Sequence, residues 1–164
     1  MESTKKLTRS ALLIALGVII PYIFHTIGIS GRIFLPMHFP PLLAGFLIGP
    51  FYALAVGTIL PVINFLISGF PQMPTLALMI AELAVFGLVT GLLYKKTNLF
   101  ISLISAMILG RIVYTSLYIA FIEFENFFIS ILGGITTGLP GIIAQLIIIP
   151  PAVLLIEREY FNKK

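Results

Sequence analysis

Two charged side chains, Glu82 and Arg111, stand inside the hydrophobic runs of a tract that is otherwise almost continuously apolar from residue 7 to residue 157. Placing a charge at bilayer depth costs about 2.5–3.5 kcal/mol on insertion scales, so an ionisable residue in such a run marks a functional site by default. A carboxylate and a guanidinium can neutralise each other or hold a solute, and a carboxylate can also carry a proton. Three further polar side chains, His38, Asn64 and Gln145, fall in or beside neighbouring apolar runs. Tyr114 and Tyr118 follow Arg111 at i+3 and i+7, on its own helical face. The candidate binding set is therefore His38, Asn64, Glu82, Arg111, Tyr114 and Gln145.

The same inventory argues against catalysis. The chain has no Asp, no Cys and only two His, so paired-aspartate and thiolate chemistry are absent. No second His, Asp or Glu stands at ligand spacing from His38, and no metal or other cofactor is expected. There is no G-x-x-x-x-G-K-[ST] phosphate loop with which the chain could use ATP itself. An enzyme is not expected. A proton-coupled secondary transporter using Glu82 is the alternative, although inverted repeats are not apparent at this length.

These residues need elements to position them. Of the 164 residues 59% are hydrophobic and only 10% charged, against roughly 25% charged in a soluble domain. A spanning helix takes roughly 20 residues, so the expected architecture is a single all-α integral membrane domain over 1–164. Six transmembrane helices are expected at about 7–24, 37–49, 51–67, 75–94, 99–121 and 139–156. The second is short, at about 20 Å of rise, and needs shelter from neighbours. Phe127 to Gly138, with its Gly133-Gly134 pair, reads as an interfacial loop. The first apolar run lacks a small-residue cleavage site and is read as retained.

Six spans place the N-terminus, the turn at 95–98 and the C-terminus on one side. Lys5, Lys6, Arg9, Lys95, Lys96, Arg158, Lys163 and Lys164 all gather there. By the positive-inside rule both termini of this multi-pass membrane protein are expected to be cytoplasmic. Glu82 then lies about 12 Å, and Arg111 about 15 Å, below the outer helix ends. Asn64 and Gln145 lie at similar depth, with His38 at the mouth. Such convergence suits a solute cavity open to the outside and closed below. Simpler roles stay open: Glu82 and Arg111 can be an interhelical ion pair, and Asn64 and Gln145 packing glue. His25 reads as an interfacial residue and Arg32 as a solvated loop charge.

Four stretches carry a family resemblance. They are Leu7 to Gly17, Phe34 to Pro40 with Leu43 to Phe46, Ala81 to Gly87, and Gly138 to Leu146. Their order, the six spans and the size resemble the substrate-binding S components of energy-coupling factor (ECF) vitamin importers, over essentially the whole chain. The resemblance implies capture of a small water-soluble vitamin outside the cell. It also implies association with a transmembrane coupling (T) protein and two cytoplasmic ATPases, with no role for nucleic acid. The family's small-residue pattern on the first helix is matched by Ala11 and Ala15. Small residues four apart allow close helix approach in lipid, towards a partner or within the bundle itself. Arg111 beside a paired or neutral Glu82 suits a carboxylate-bearing solute such as pantothenate, which is slightly preferred. A free Glu82 suits a ring nitrogen donor, as in pyridoxine or hydroxymethylpyrimidine.

Overall fold

The computed structural model describes residues 2–28, 31–121 and 127–161, and among these every regular element is helical. The order is α1 (Glu2–Thr26), α2 (Gly31–Phe34), a 3-10 turn (Pro36–His38), α3 (Phe39–Leu47), α4 (Pro50–Ser68), α5 (Thr75–Leu93), α6 (Leu99–Phe121) and α7 (Phe127–Phe161). Five helices are long and apolar enough to cross a membrane, within α1, α4, α5, α6 and α7. The protein is a multi-pass membrane protein.

The second expected segment, 37–49, is occupied by the 3-10 turn and α3. α3 has nine residues, or about 14 Å of helix, short of the ~30 Å hydrocarbon core. Pro40, Pro41, Leu42, Ala44, Gly45 and Phe46 are buried within it, because α1, α4, α5 and α7 all pack around it. It stops where Gly49 adopts φ 112°, a conformation open to glycine, and Pro50 opens α4 at its first position.

The expected loop at 127–138 is corrected, since α7 is helical from Phe127 through Phe161. Gly133-Gly134 and Pro140, Pro150 and Pro151 lie within that helix. In water such residues end helices. In an apolar bundle no solvent competes for the backbone, so an unbroken helix is the cheapest way to satisfy its polar groups. α1 begins at Glu2, so the basic residues ahead of the first expected span are helical too.

Glycines set the spacing at the centre. A Cβ on Gly57 would overlap the Leu83 carbonyl, and one on Gly87 would overlap that of Ala53, so α4 and α5 meet backbone to backbone. Gly45 does the same for α3, where a Cβ would lie 2.6 Å from that of Thr90 on α5. Leu42, Leu83, Leu103, Ile149 and Val153, all 0% exposed, fill the space between α3, α5, α6 and α7. At the end bearing residues 94–98, Tyr94 donates to both carboxylate oxygens of Glu157, at 3.1 and 3.0 Å. Asn98 caps α6 there by accepting the Ile101 N–H at 2.8 Å.

Gly57→Ala is expected to lower stability by about 1–3 kcal/mol or more, because the obstructing atom is backbone and cannot rotate away. Gly133→Ala, at a position open within 4 Å, should be neutral or better by a few tenths of a kcal/mol. Thermal unfolding of the two variants in detergent checks the contrast. Equal melting would mean that the α4–α5 seam is looser than described.

Candidate solute-binding site

The site is built from the end of the bundle that carries residues 69–74. Glu82 is two turns into α5, 2% exposed, with Leu83 and Phe86 buried beside it. Arg111 reaches it from α6, with Nη2 3.2 Å from Oε1 of Glu82. The approach depends on the residue before the arginine. A Cβ on Gly110 would overlap the Phe86 ring and lie 3.2 Å from the Glu82 carbonyl. Glycine there lets α6 close on α5 at the level of the charge.

His38 arrives from a different kind of element. Leu35 adopts φ 50° and ψ 46°, a left-handed conformation that costs a non-glycine residue about 1–2 kcal/mol. The chain turns sharply there into Pro36–His38 and delivers the imidazole inward, 3% exposed. Its Nε2 is 3.5 Å from Oε2 of Glu82, and its ring packs at 5.2 Å, tilted by 59°, on Phe86. Strain of this kind persists where the surroundings over-determine it, and functional sites are one such place.

Neither Glu82 contact is a finished hydrogen bond. Arg111 sits within ion-pair distance, yet Oε1 of Glu82 accepts no aligned N–H. Among the described residues both ring nitrogens of His38 lack hydrogen-bond partners, as do both amide atoms of the fully buried Gln145 on α7. A buried polar group without a partner costs about 1–3 kcal/mol. Leu146 and Ile149 flank Gln145 and pack in the cluster that includes Met37, Leu83 and Phe86. As a whole, α7 packs against α2, α3 and α6. Tyr114 takes part through its ring, whose centroid lies 5.3 Å from Cζ of Arg111, a distance suited to a cation–π contact.

Asn64 is placed elsewhere. Its amide nitrogen donates to the carbonyls of Gly17 and Leu60, both at 3.1 Å, and ties α4 to α1. This is the packing role left open above, and the side chain is committed to that seam. Ala11 and Ala15 are exposed, while Ser10, Leu13, Gly17 and Pro21 form the buried face of α1. The side chains of His25 and Arg32 lie outside the described residues. The sequence did not single out Phe86, Gly110 or Gly134. A Cβ on Gly134 would lie 3.4 Å from Nη1 of Arg111, so α7 also passes close to the guanidinium. A glycine directly before the buried arginine was the available signal. Pro74, Ala77, Leu78, Leu117 and Phe121 line an apolar recess of about 200 Å³ at the same end, one turn from Glu82. Among the described residues no group of three or more His, Cys, Asp or Glu could hold a metal ion.

A family model described as "ECF transporter, substrate-specific component" matches residues 5–153. The chain belongs to the substrate-specific components of ECF transporters. No curated protein matches it, and no solved structure does. An S component is the part of an importer that captures substrate, and it works with a T protein and ATPases. In this S component the buried polar atoms without hydrogen-bond partners among the described residues lie on the Pro36–His38 turn, α5 and α7.

Proposed function

We propose that this S component captures one small water-soluble vitamin from outside the cell and delivers it to an ATP-driven ECF complex. Pantothenate-like and pyridoxine- or hydroxymethylpyrimidine-like solutes are the favoured cargo. The complex comprises a T protein and two cytoplasmic ATPases in a prokaryotic plasma membrane. α3 with its 3-10 turn acts as the sixth crossing, shielded from lipid by its neighbours, and both termini are cytoplasmic. The distribution of Lys and Arg supports that orientation. It puts His38, Glu82, Arg111 and Gln145 in the outer half of the membrane.

One observation carries the proposal. Among the described residues, five buried polar atoms on three side chains from three elements have no hydrogen-bond partner. Native interiors rarely leave such groups unmet, and a bound polar solute supplies the missing partners. Pockets of this type are mostly apolar with a few polar anchors.

Two measurements test it. The purified chain, without partners, should bind one vitamin in a panel. Accumulation in reconstituted vesicles should require the T protein, the ATPases and ATP. Accumulation driven by a proton gradient alone would replace this proposal with a secondary transporter in which Glu82 carries the proton.

A further inference from the structure

Pro21 lies inside α1 and is buried. Proline has no N–H, so the Gly17 carbonyl, four residues earlier, loses the helical bond it would otherwise accept. A carbonyl freed within an apolar bundle needs a donor from a neighbouring element. Asn64 of α4 provides one. Its side chain is 3% exposed, and its amide nitrogen donates to the Gly17 carbonyl at 3.1 Å.

This mended break lies between two contacts that α1 makes with the chain around His38. At the start of the break, a Cβ on Gly17 would lie 2.8 Å from Pro40 and 2.7 Å from Leu60. The α1 backbone is therefore pressed against the residue two places after His38. Past the break, the Phe24 ring meets Phe34 edge-on, with centroids 5.7 Å apart and planes at 66°. Phe34 directly precedes Leu35, whose φ of 50° turns the chain towards His38. α1 thus grips the strained turn from both sides. A shift at Gly17–Pro21 would move one grip relative to the other. The imidazole held 3.5 Å from Glu82 would move with them.

Resting on the reading of the His38–Glu82 region as a capture site, we propose that Asn64 is a positioning residue for capture. It acts through His38 and not on the solute. It supplies the N–H that Pro21 withholds, fixes α1 across the break, and so holds the Pro36–His38 turn in the geometry that binds. Without that donor the Gly17 carbonyl is a buried acceptor left unpaired, which favours other arrangements of α1. Apparent affinity then falls with the fraction of molecules still in the competent arrangement.

The test uses the purified full-length chain and three probes: pantothenate, pyridoxine and 4-amino-5-hydroxymethyl-2-methylpyrimidine. Asn64→Leu is close in size but lacks the donor. In equilibrium dialysis it should weaken whichever probe the parent binds by about tenfold or more. Pro21→Ala returns an N–H to α1 itself. Alone it should leave affinity within about threefold of the parent, and added to Asn64→Leu it should restore affinity to that range. If the amide merely filled the seam between α1 and α4, the two substitutions would add instead.

A second readout needs no solute. The chain has two histidines, so a His25→Gln background leaves His38 as the sole imidazole. With isotope-labelled histidine, its ring resonances should shift in Asn64→Leu and return when Pro21→Ala is added. Parent-like affinity or parent-like His38 resonances in Asn64→Leu, or a loss that Pro21→Ala does not repair, overturns the proposal. Should Asn64→Leu fail to fold, a folded double variant supports the proposal and failure of both overturns it. A parent that binds no probe removes the capture reading, and the His38 resonances then decide by themselves whether Asn64 and Pro21 hold the turn.

Discussion

Arg111→Met is expected to lower the stability of the solubilised chain by about 3–5 kcal/mol and to abolish solute capture. The stability loss comes from what remains behind. Glu82, 2% exposed, would keep its carboxylate in the bundle with its guanidinium partner gone, and breaking one side of a buried ion pair costs far more than removing both. The double variant Glu82→Gln with Arg111→Met should therefore regain most of the lost stability, and the interaction energy of the cycle measures the pair. Capture should stay far weaker in the double variant, since the amide oxygen at 82 still accepts but without the charge that strengthens the bond. Thermal unfolding and vitamin binding on the three proteins decide the matter. A singly substituted protein that melts like the parent would show that the pair is not a stabilising contact. A stable double variant that binds like the parent would reduce Glu82 and Arg111 to a tie between α5 and α6.

Ala11→Trp combined with Ala15→Trp is expected to eliminate uptake while leaving capture within a few-fold of the parent. Both alanines are exposed on α1, opposite the face that buries Leu13 and Gly17, so two indoles there meet lipid rather than the bundle. A T protein docking on that face by close helix approach would be held off by their bulk. The binding groups belong to α5, α6, α7 and the Pro36–His38 turn, not to this face. Co-purification with T protein and ATPases, alongside vitamin binding by the isolated variant, is the measurement. Intact assembly would move the partner surface elsewhere, and joint loss of folding and binding would assign the alanines to the core.

Much of this arrangement was legible in the chain. Glu82 and Arg111 stood out because a charge in an apolar run has few structural excuses, and their meeting across α5 and α6 followed from similar depth. The role of Asn64 was not legible. An amide reads the same in sequence whether it faces a solute or a backbone carbonyl, and only the fold shows Gly17 of α1 across from it. The continuity of α7 was missed because Gly133-Gly134 and Pro140 were weighed by the rules of helices in water. The shortness of α3 was anticipated, but the left-handed Leu35 that aims His38 carries no glycine or asparagine to announce it.

The glycine seam also determines which parts of this molecule can give. α3, α4 and α5 approach closely at Gly45, Gly57 and Gly87, where the nearest obstructing atoms are largely backbone, so these crossings leave little to rearrange and form a stator. Glu82 is fixed on that stator, with His38 at its edge. Arg111 and Gln145 ride on α6 and α7, which meet it through rotatable groups such as Phe86, Leu103 and Ile149. Adjustment to a guest thus falls to the α6–α7 cover. Taste for one solute over another can drift at 111, 114 and 145 while the stator, and with it the fold, stays unchanged.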